Sequence, residues 1–421
     1  MKKLVSILVL LTPLFLSLPA QVINQHVQAN ASVDYTRLKR IDTLINSYIK
    51  KDYVKGVVAI IVKDNEVIQY KGYGVIDAAT QKPMPADALF RIASQTKAVV
   101  TAGLMTLYDE GKFTLDEPIA DFIPEFMHPK VLDKFNAADS SYTTVPAKRE
   151  ITFRDLLTHT SGIDYAEIGS ANMQAIYSKA GIRSGLGVVN NNLVERMKTL
   201  AKLPLVHQPG EKWTYSLGID VAGALVEIIS GTNLEDYLAQ KLFRPLGMKD
   251  TYFNVPAEKG SRLAAVYTED EHGRIIPWGK TFRGIDPAYP LAEKHYFSGG
   301  AGLTSTAFDY AVFLQMMLNG GKYNGVQVLA PRTVQIMLSG QLDFLYNGMD
   351  NFGIGFGLTS EKSAERNPRN AGSFAWGGYF GTAYWADPKA KMICLIMTQQ
   401  SPNSHGDLVS KFEQLVYQSL K

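Results

Sequence analysis

Apolar residues recur at helical spacing at Leu38, Ile41, Ile45 and Tyr48, which predicts an amphipathic helix early in the chain. Two short apolar runs follow at 57–62 and 66–75 and read as a pair of strands. At the far end, 383–386 and 392–398 flank the turn residues Asp387 and Pro388 and predict another strand pair, and Leu408, Phe412, Leu415 and Val416 mark a closing helix. Each end of the chain therefore supplies strands and one helix, so the expected core is one sheet built from both ends. Between them, helical patches at 93–110, 217–230, 233–243 and 306–319 are separated by long loops containing glycine and proline, the pattern of a helical subdomain. No segment repeats at a fixed period, which sets aside solenoids and arrays.

Composition agrees with a globular enzyme-sized unit. The chain has 421 residues, 46% hydrophobic and 20% charged, enough to bury a large core and unlike a disordered or collagenous chain. Met1, Lys2 and Lys3 followed by the apolar run 4–18 have the form of a secretory signal, too short to span a bilayer, and Pro13 and Pro19 argue against an uncleaved anchoring helix. Cleavage fits after Ala20, or after Ala31 in the small-residue pattern Ala29-Asn30-Ala31, and no cysteine stands nearby to accept a lipid. The expectation is a signal peptide at 1–31, a hydrolase domain at 32–421, a periplasmic or secreted location and no stable membrane insertion after cleavage. Removing 1–31 takes away two lysines and no acid, lowering the net charge from +3 to +1. That balance, with no concentrated basic stripe, argues against a nucleic-acid partner. Cys394 is the sole cysteine and lies in an apolar run, so it reads as a buried thiol and no intramolecular disulfide is possible.

The chain has no H-E-x-x-H, C-x-x-C or G-x-S-x-G, which removes the main support for zincin and α/β-hydrolase chemistry. The segment 273–281 nearly imitates a phosphate-binding loop, but its glycine spacing is wrong and Pro277 interrupts it, so it reads as a loop. No histidines are spaced as metal ligands beside a carboxylate, and neither metal nor cofactor is implied.

The strongest positive signal is Ser94-Gln95-Thr96-Lys97 at the start of a mostly apolar helix, because residues i and i+3 share one face and a desolvated lysine can activate a serine. The competing reading is an N-cap serine beside a solvated lysine. The same spacing occurs at Ser47-Tyr48-Ile49-Lys50, where Ser47 points away from the apolar stripe and reads as surface. A second signal is the turn Pro209-Gly210-Glu211-Lys212-Trp213-Thr214-Tyr215-Ser216, which presents Tyr215 at a loop-to-helix junction as a proton relay or as packing. The third is Trp376-Gly377-Gly378-Tyr379, where two glycines allow close backbone approach to a ligand, or form a plain turn into a strand.

In this order and spacing the three motifs resemble the serine β-lactamase and penicillin-binding superfamily, in the branch of class C β-lactamases, family VIII carboxylesterases and D-aminopeptidases or DD-peptidases. Supporting phrases are Leu156-Leu157-Thr158-His159-Thr160-Ser161-Gly162, Pro245-Leu246-Gly247-Met248 and the run from Gly299 to Thr306. The resemblance spans roughly 35–420. It implies an α/β plus all-α architecture of the β-lactamase/transpeptidase-like type, an antiparallel sheet from both chain ends flanked by helices, with a helical subdomain. It implies Ser94 as nucleophile, Lys97 as its base, Tyr215 as partner acid/base, the backbone N–H groups of Ser94 and Tyr379 as oxyanion donors, and Trp376, Gly377 and Gly378 at the substrate. His159 lies in a stretch whose role the resemblance makes structural.

Two departures bear on activity. The usual Y-x-N reads Tyr215-Ser216-Leu217 here, so a substrate-facing amide is missing, and Trp376-Gly377-Gly378 stands where β-lactamases and DD-peptidases carry K-T-G. The expected protein is an exported serine hydrolase that takes a small-molecule acyl substrate, a carboxylesterase on short acyl esters. The alternatives are a β-lactamase, a DD-peptidase or D-aminopeptidase, or a non-enzymatic acylatable sensor. The sequence leaves the oligomeric state open.

Overall fold

The computed structural model describes residues 22–187, 190–279, 284–342, 345 and 350–421. Residues 1–21, which hold the apolar run of the expected signal and Ala20, lie outside the described residues. The strand Gly56–Lys63 is apolar at nearly every position because it is buried on both faces. Val58, Ile60 and Val62 point into the core shared with the helical part of the molecule, whereas Val57, Ala59 and Ile61 point into a second core under the terminal helices. That second core is closed by Ile41, Ile45 and Tyr48 of the helix Arg40–Lys50 and by Leu408, Phe412 and Val416 of the helix Asp407–Gln418. Truncating Ile60 to alanine would leave a cavity costing about 2–5 kcal/mol.

The sheet has eight antiparallel strands in the spatial order Asp350–Phe352, Gly357–Thr359, Phe374–Gly378, Thr382–Asp387, Met392–Met397, Gly56–Lys63, Glu66–Asp77 and Lys82–Pro83. The two ends of the chain meet where Val58 faces Met397 and Ile61 faces Cys394. Cys394 is fully buried there. Of the central helical patches, 306–319 forms the helix Ala307–Leu318, capped by the Thr306 side chain on the Asp309 N–H. The patch 233–243 breaks into Leu234–Leu238 and a wider turn at Ala239–Phe243.

The helical subdomain also contains β-structure that the periodicity does not reveal. A hairpin pairs Lys130–Asn136 with Ser141–Pro146, and another pairs Tyr267–Glu269 with Ile275–Pro277. The second strand of the latter falls within 273–281, read above as a loop. Its strand delivers Trp278 into a small core with Ala93, Val266 and Phe380, beside the turn that carries Ser94. Trp376-Gly377-Gly378 is itself part of a strand inside the sheet, paired with Tyr384, Ala383 and Thr382.

Candidate active site

Ser94 sits in a single tight turn, Ala93–Gln95, that runs into the helix Thr96–Asp109. Ala93 holds a positive φ of 42°, a conformation costing about 1–3 kcal/mol in a residue with a side chain, so the turn is held by its surroundings. Two neighbours do this. Arg91, buried three residues earlier, donates to the carbonyls of Pro287 and Ala264 and to the Gln399 amide oxygen. Gly378 packs so closely that a Cβ there would lie 2.4 Å from the Ile92 carbonyl oxygen and 2.3 Å from Thr382 Oγ1. The strand Phe374–Gly378 therefore ends against the serine turn, which brings Tyr379 to the site.

Ser94 is partly exposed, and the Tyr215 hydroxyl donates to its Oγ at 2.7 Å. Lys97 is 3% exposed; its Nζ donates to the Gly300 carbonyl at 2.8 Å and stands 4.6 Å from the centre of the Tyr215 ring and 5.4 Å from that of Tyr165. Serine, lysine and tyrosine thus converge, with tyrosine touching the nucleophile and lysine supplying the charge beside it. Tyr165 stacks on Tyr215 at 5.4 Å and 9° and fixes the plane of the ring.

The Tyr215 turn is anchored from behind by two histidines. The His159 carbonyl accepts from the Thr214 N–H at 2.8 Å, His159 Nδ1 and Ser216 Oγ are 3.0 Å apart, and His207 Nε2 meets Thr214 Oγ1 at 2.9 Å. His159 is buried among Trp213, Tyr215 and Phe352. Burial, aided by the Lys97 cation, pushes its pKa down to about 3, so the ring is neutral and acts as a strut. Leu217, the departure from Y-x-N, is fully buried and its N–H bonds the Asp164 carbonyl, so no side chain from that position reaches the opening.

Trp376 packs on Tyr215 at 5.8 Å and on Phe352 at 5.4 Å. With Trp213, Phe352, Leu358 and Gly377 it lines a cavity of about 370 Å³ that meets the site through Trp213 and Trp376 packed on Tyr215; Ser94 and Lys97 do not line it, and Asp350 and Arg369 are among its remaining lining residues. Arg369 is tied to Glu413 at 2.7 Å. Trp278 and Tyr379, whose ring centres lie 6.4 Å apart, add further aromatic surface near the Ser94 turn.

Sequence reasoning missed Tyr165, Gly300, Trp278 and Asp220. Asp220 is fully buried in the helix Gly218–Ser230, on the Lys97 side of the site. The signal available for it was an acid inside the apolar run Gly218-Ile219-Asp220-Val221-Ala222, where burial demands a reason. Among the described residues, no group of three or more His, Cys, Asp or Glu side chains is placed to hold a metal ion.

Comparison with known proteins supplies the remaining finding. A family model described as Beta-lactamase matches residues 41–417. An uncharacterised protein of Mycobacterium tuberculosis is 35% identical over 368 residues, covering 84% of this chain and 88% of its own. Esterase EstB of Burkholderia gladioli is 30% identical over 400 residues, covering 90% and 94%. Among solved structures, EstCE1, described as a hydrolase with promiscuous acyltransferase activity, superposes with a TM-score of 0.78 at 26% identity, covering 91% of this chain and 99% of that one.

Proposed function

Because the chain belongs to the beta-lactamase family of serine hydrolases, with its β-lactamase/transpeptidase-like fold, we propose that it is an exported carboxylesterase that forms an acyl-enzyme on Ser94 and prefers short, uncharged acyl esters. The observation that carries this reading is the 2.7 Å bond from Tyr215 to Ser94 Oγ with Lys97 held against the tyrosine ring. Ser94 Oγ attacks the ester carbonyl while its proton passes to the Tyr215–Lys97 pair. The N–H groups of Ser94 and Tyr379 receive the developing oxyanion, the alcohol leaves with the proton, and water then releases the acid.

In this reading substrate preference follows from the wall packed on Tyr215. Trp376 offers an apolar face and an indole donor where a K-T-G lysine would meet a carboxylate, and Trp213 and Phe352 extend that face. The likeness to Esterase EstB supports the same choice. A panel of short-chain chromogenic esters, D-peptides and a cephalosporin tests it, with sustained release from an ester expected. A cephalosporin turned over better than every ester would make the protein a β-lactamase. A stoichiometric burst with no steady rate would make it a sensor.

Export through a cleaved signal belongs to the same reading. The described part of 22–33 is built into the body: Ile23 is buried, the Gln28 N–H bonds the Val67 carbonyl at 2.8 Å, and Asn24 bridges to Glu66. A cut after Ala20 keeps these contacts and one after Ala31 discards them. The mature N-terminus is therefore expected at Gln21, and N-terminal sequencing that begins at Ser32 would overturn that choice.

A further inference from the structure

We propose that Asp220 is a positioning residue for the reaction, its carboxylate anchoring the Lys97 ammonium across Gly300 and setting the charge of the Lys97–Tyr215 pair. The inference rests on the roles given above to Ser94, Lys97 and Tyr215. Asp220 is 0% exposed, and one carboxylate oxygen, Oδ1, accepts from Ser298 Oγ at 2.7 Å. The other, Oδ2, is buried and no side chain donates to it, while the Gly300 backbone N–H acts on the carboxylate. Oδ2 faces Gly300: a Cβ built on that glycine would stand 2.4 Å from Oδ2 and 3.4 Å from Lys97 Nζ. Carboxylate and ammonium thus lie on the same side of one glycine, within about 6 Å of each other, the range in which opposite charges set protonation. The Gly300 carbonyl that accepts from Lys97 belongs to the same turn that Ser298 pins to Asp220.

The nucleophile helix contributes Lys97, the Tyr215 turn contributes Tyr215 and His159, and the segment before Ser298 contributes Tyr296, whose hydroxyl approaches Oδ1 at 3.5 Å. Tyr165 stacks on Tyr215, with Glu167 acting on it and on Tyr296, and Arg196 acting on Tyr296. Lys97 is the cation that acts on Asp220. Burial pushes the Asp220 carboxyl up, while the Ser298 hydroxyl, the Lys97 charge, the Gly300 N–H and the Tyr296 hydroxyl pull it back. Burying an acid this deeply is costly unless a cation lies near it, and Lys97 supplies one.

The test is the pH profile of kcat/KM for a short-chain ester in Asp220→Asn and Asp220→Ser, two uncharged replacements of different size, with Tm measured alongside. Removing a negative charge favours proton loss from both members of the pair, so both limbs of the bell move to lower pH by about one unit or more, with KM little changed. A merely structural Asp220 would lower kcat or Tm and leave the bell in place. A bell that stays in place in whichever variant folds overturns the proposal, as does a shift to higher pH. If neither variant folds, Asp220 is a stability residue and the proposal is likewise overturned. Ser94→Ala run in parallel separates the two levels of the argument. Activity surviving there is a failure of the site assignment, whereas an inactive Ser94→Ala with an unmoved Asp220→Asn bell is a failure of this inference alone.

Discussion

The chain carries the same four-residue spacing twice, and the two copies share only their helical geometry. Ser47 and Lys50 lie on the helix Arg40–Lys50, where Ser47 Oγ donates to the Leu44 carbonyl of its own helix at 2.7 Å and Lys50 is exposed. Ser94 and Lys97 start the helix Thr96–Asp109, where the serine meets the Tyr215 hydroxyl and the lysine is enclosed by Tyr165, Tyr215 and Gly300. A serine with its proton committed to a helix carbonyl and its lysine out in water has no enclosed partner beside it to take that proton. What separates the copies is desolvation and the phenol supplied from more than a hundred residues away. Spacing places two groups on one face, and tertiary structure gives them reactivity.

The sharpest way to break this comparison is to delete each serine in turn. Ser94→Ala is expected to lower ester turnover by about 10³ or more, and Ser47→Ala to leave it near wild type. The reverse pattern, read as kcat on one chromogenic ester, would move the nucleophile to the terminal helix. Next in size are the groups that only the Ser94 copy possesses. Lys97→Ala and Tyr215→Phe should each lower kcat by about 10² or more, and the double variant should lose much less than the product of the two, since both serve one proton path. Near-wild-type kcat in either single variant removes that residue from the path.

Selectivity is a smaller effect. Trp376→Lys places a cation in the wall packed on Tyr215 and should raise the ratio of kcat/KM for a cephalosporin over an ester by about tenfold, because only differential transition-state binding changes that ratio. An unchanged ratio would remove Trp376 from substrate discrimination. The smallest expected effect concerns His159, the strut behind Tyr215. Its folded pKa of about 3 lies below the unfolded value near 6.5, so the stability it contributes is present above pH 6.5 and is lost as the pH falls towards 3. Asp309, whose carboxyl burial pushes up to about 6, acts with the opposite sign, its folded form taking up a proton first. Comparing wild type with His159→Asn cancels Asp309. The Tm deficit of the variant should shrink as the pH drops from 7 to 4, and a constant deficit would contradict a neutral, buried His159.

The sheet was legible in the sequence because its central strands are long and buried on both faces, as in the run Gly56–Lys63, and because the terminal helices show strict apolar spacing at Ile41, Ile45, Leu408 and Phe412. The edge strand Asp350–Phe352 and its neighbour Gly357–Thr359 have three residues each, too few for a period to register. Ser94, Lys97 and Tyr215 were legible because their motifs are local. The roles of Asp220, Tyr165 and Gly300 were not, since each acts only after the fold brings separate segments together; the buried acid at Asp220 and the run from Gly299 to Thr306 mark residues without naming their partners. Trp278 was hidden for a further reason: it follows a short strand in a segment whose glycines and proline read as loop.

The central claim is that an acyl group becomes attached to Ser94. Intact-mass measurement after treatment with an active-serine reagent, followed by peptide mapping, tests it most directly. The account predicts one adduct per chain, on the peptide containing Ser94, and none in Ser94→Ala. An adduct on the Ser47 peptide, or an unmodified chain that still turns over ester, would contradict it.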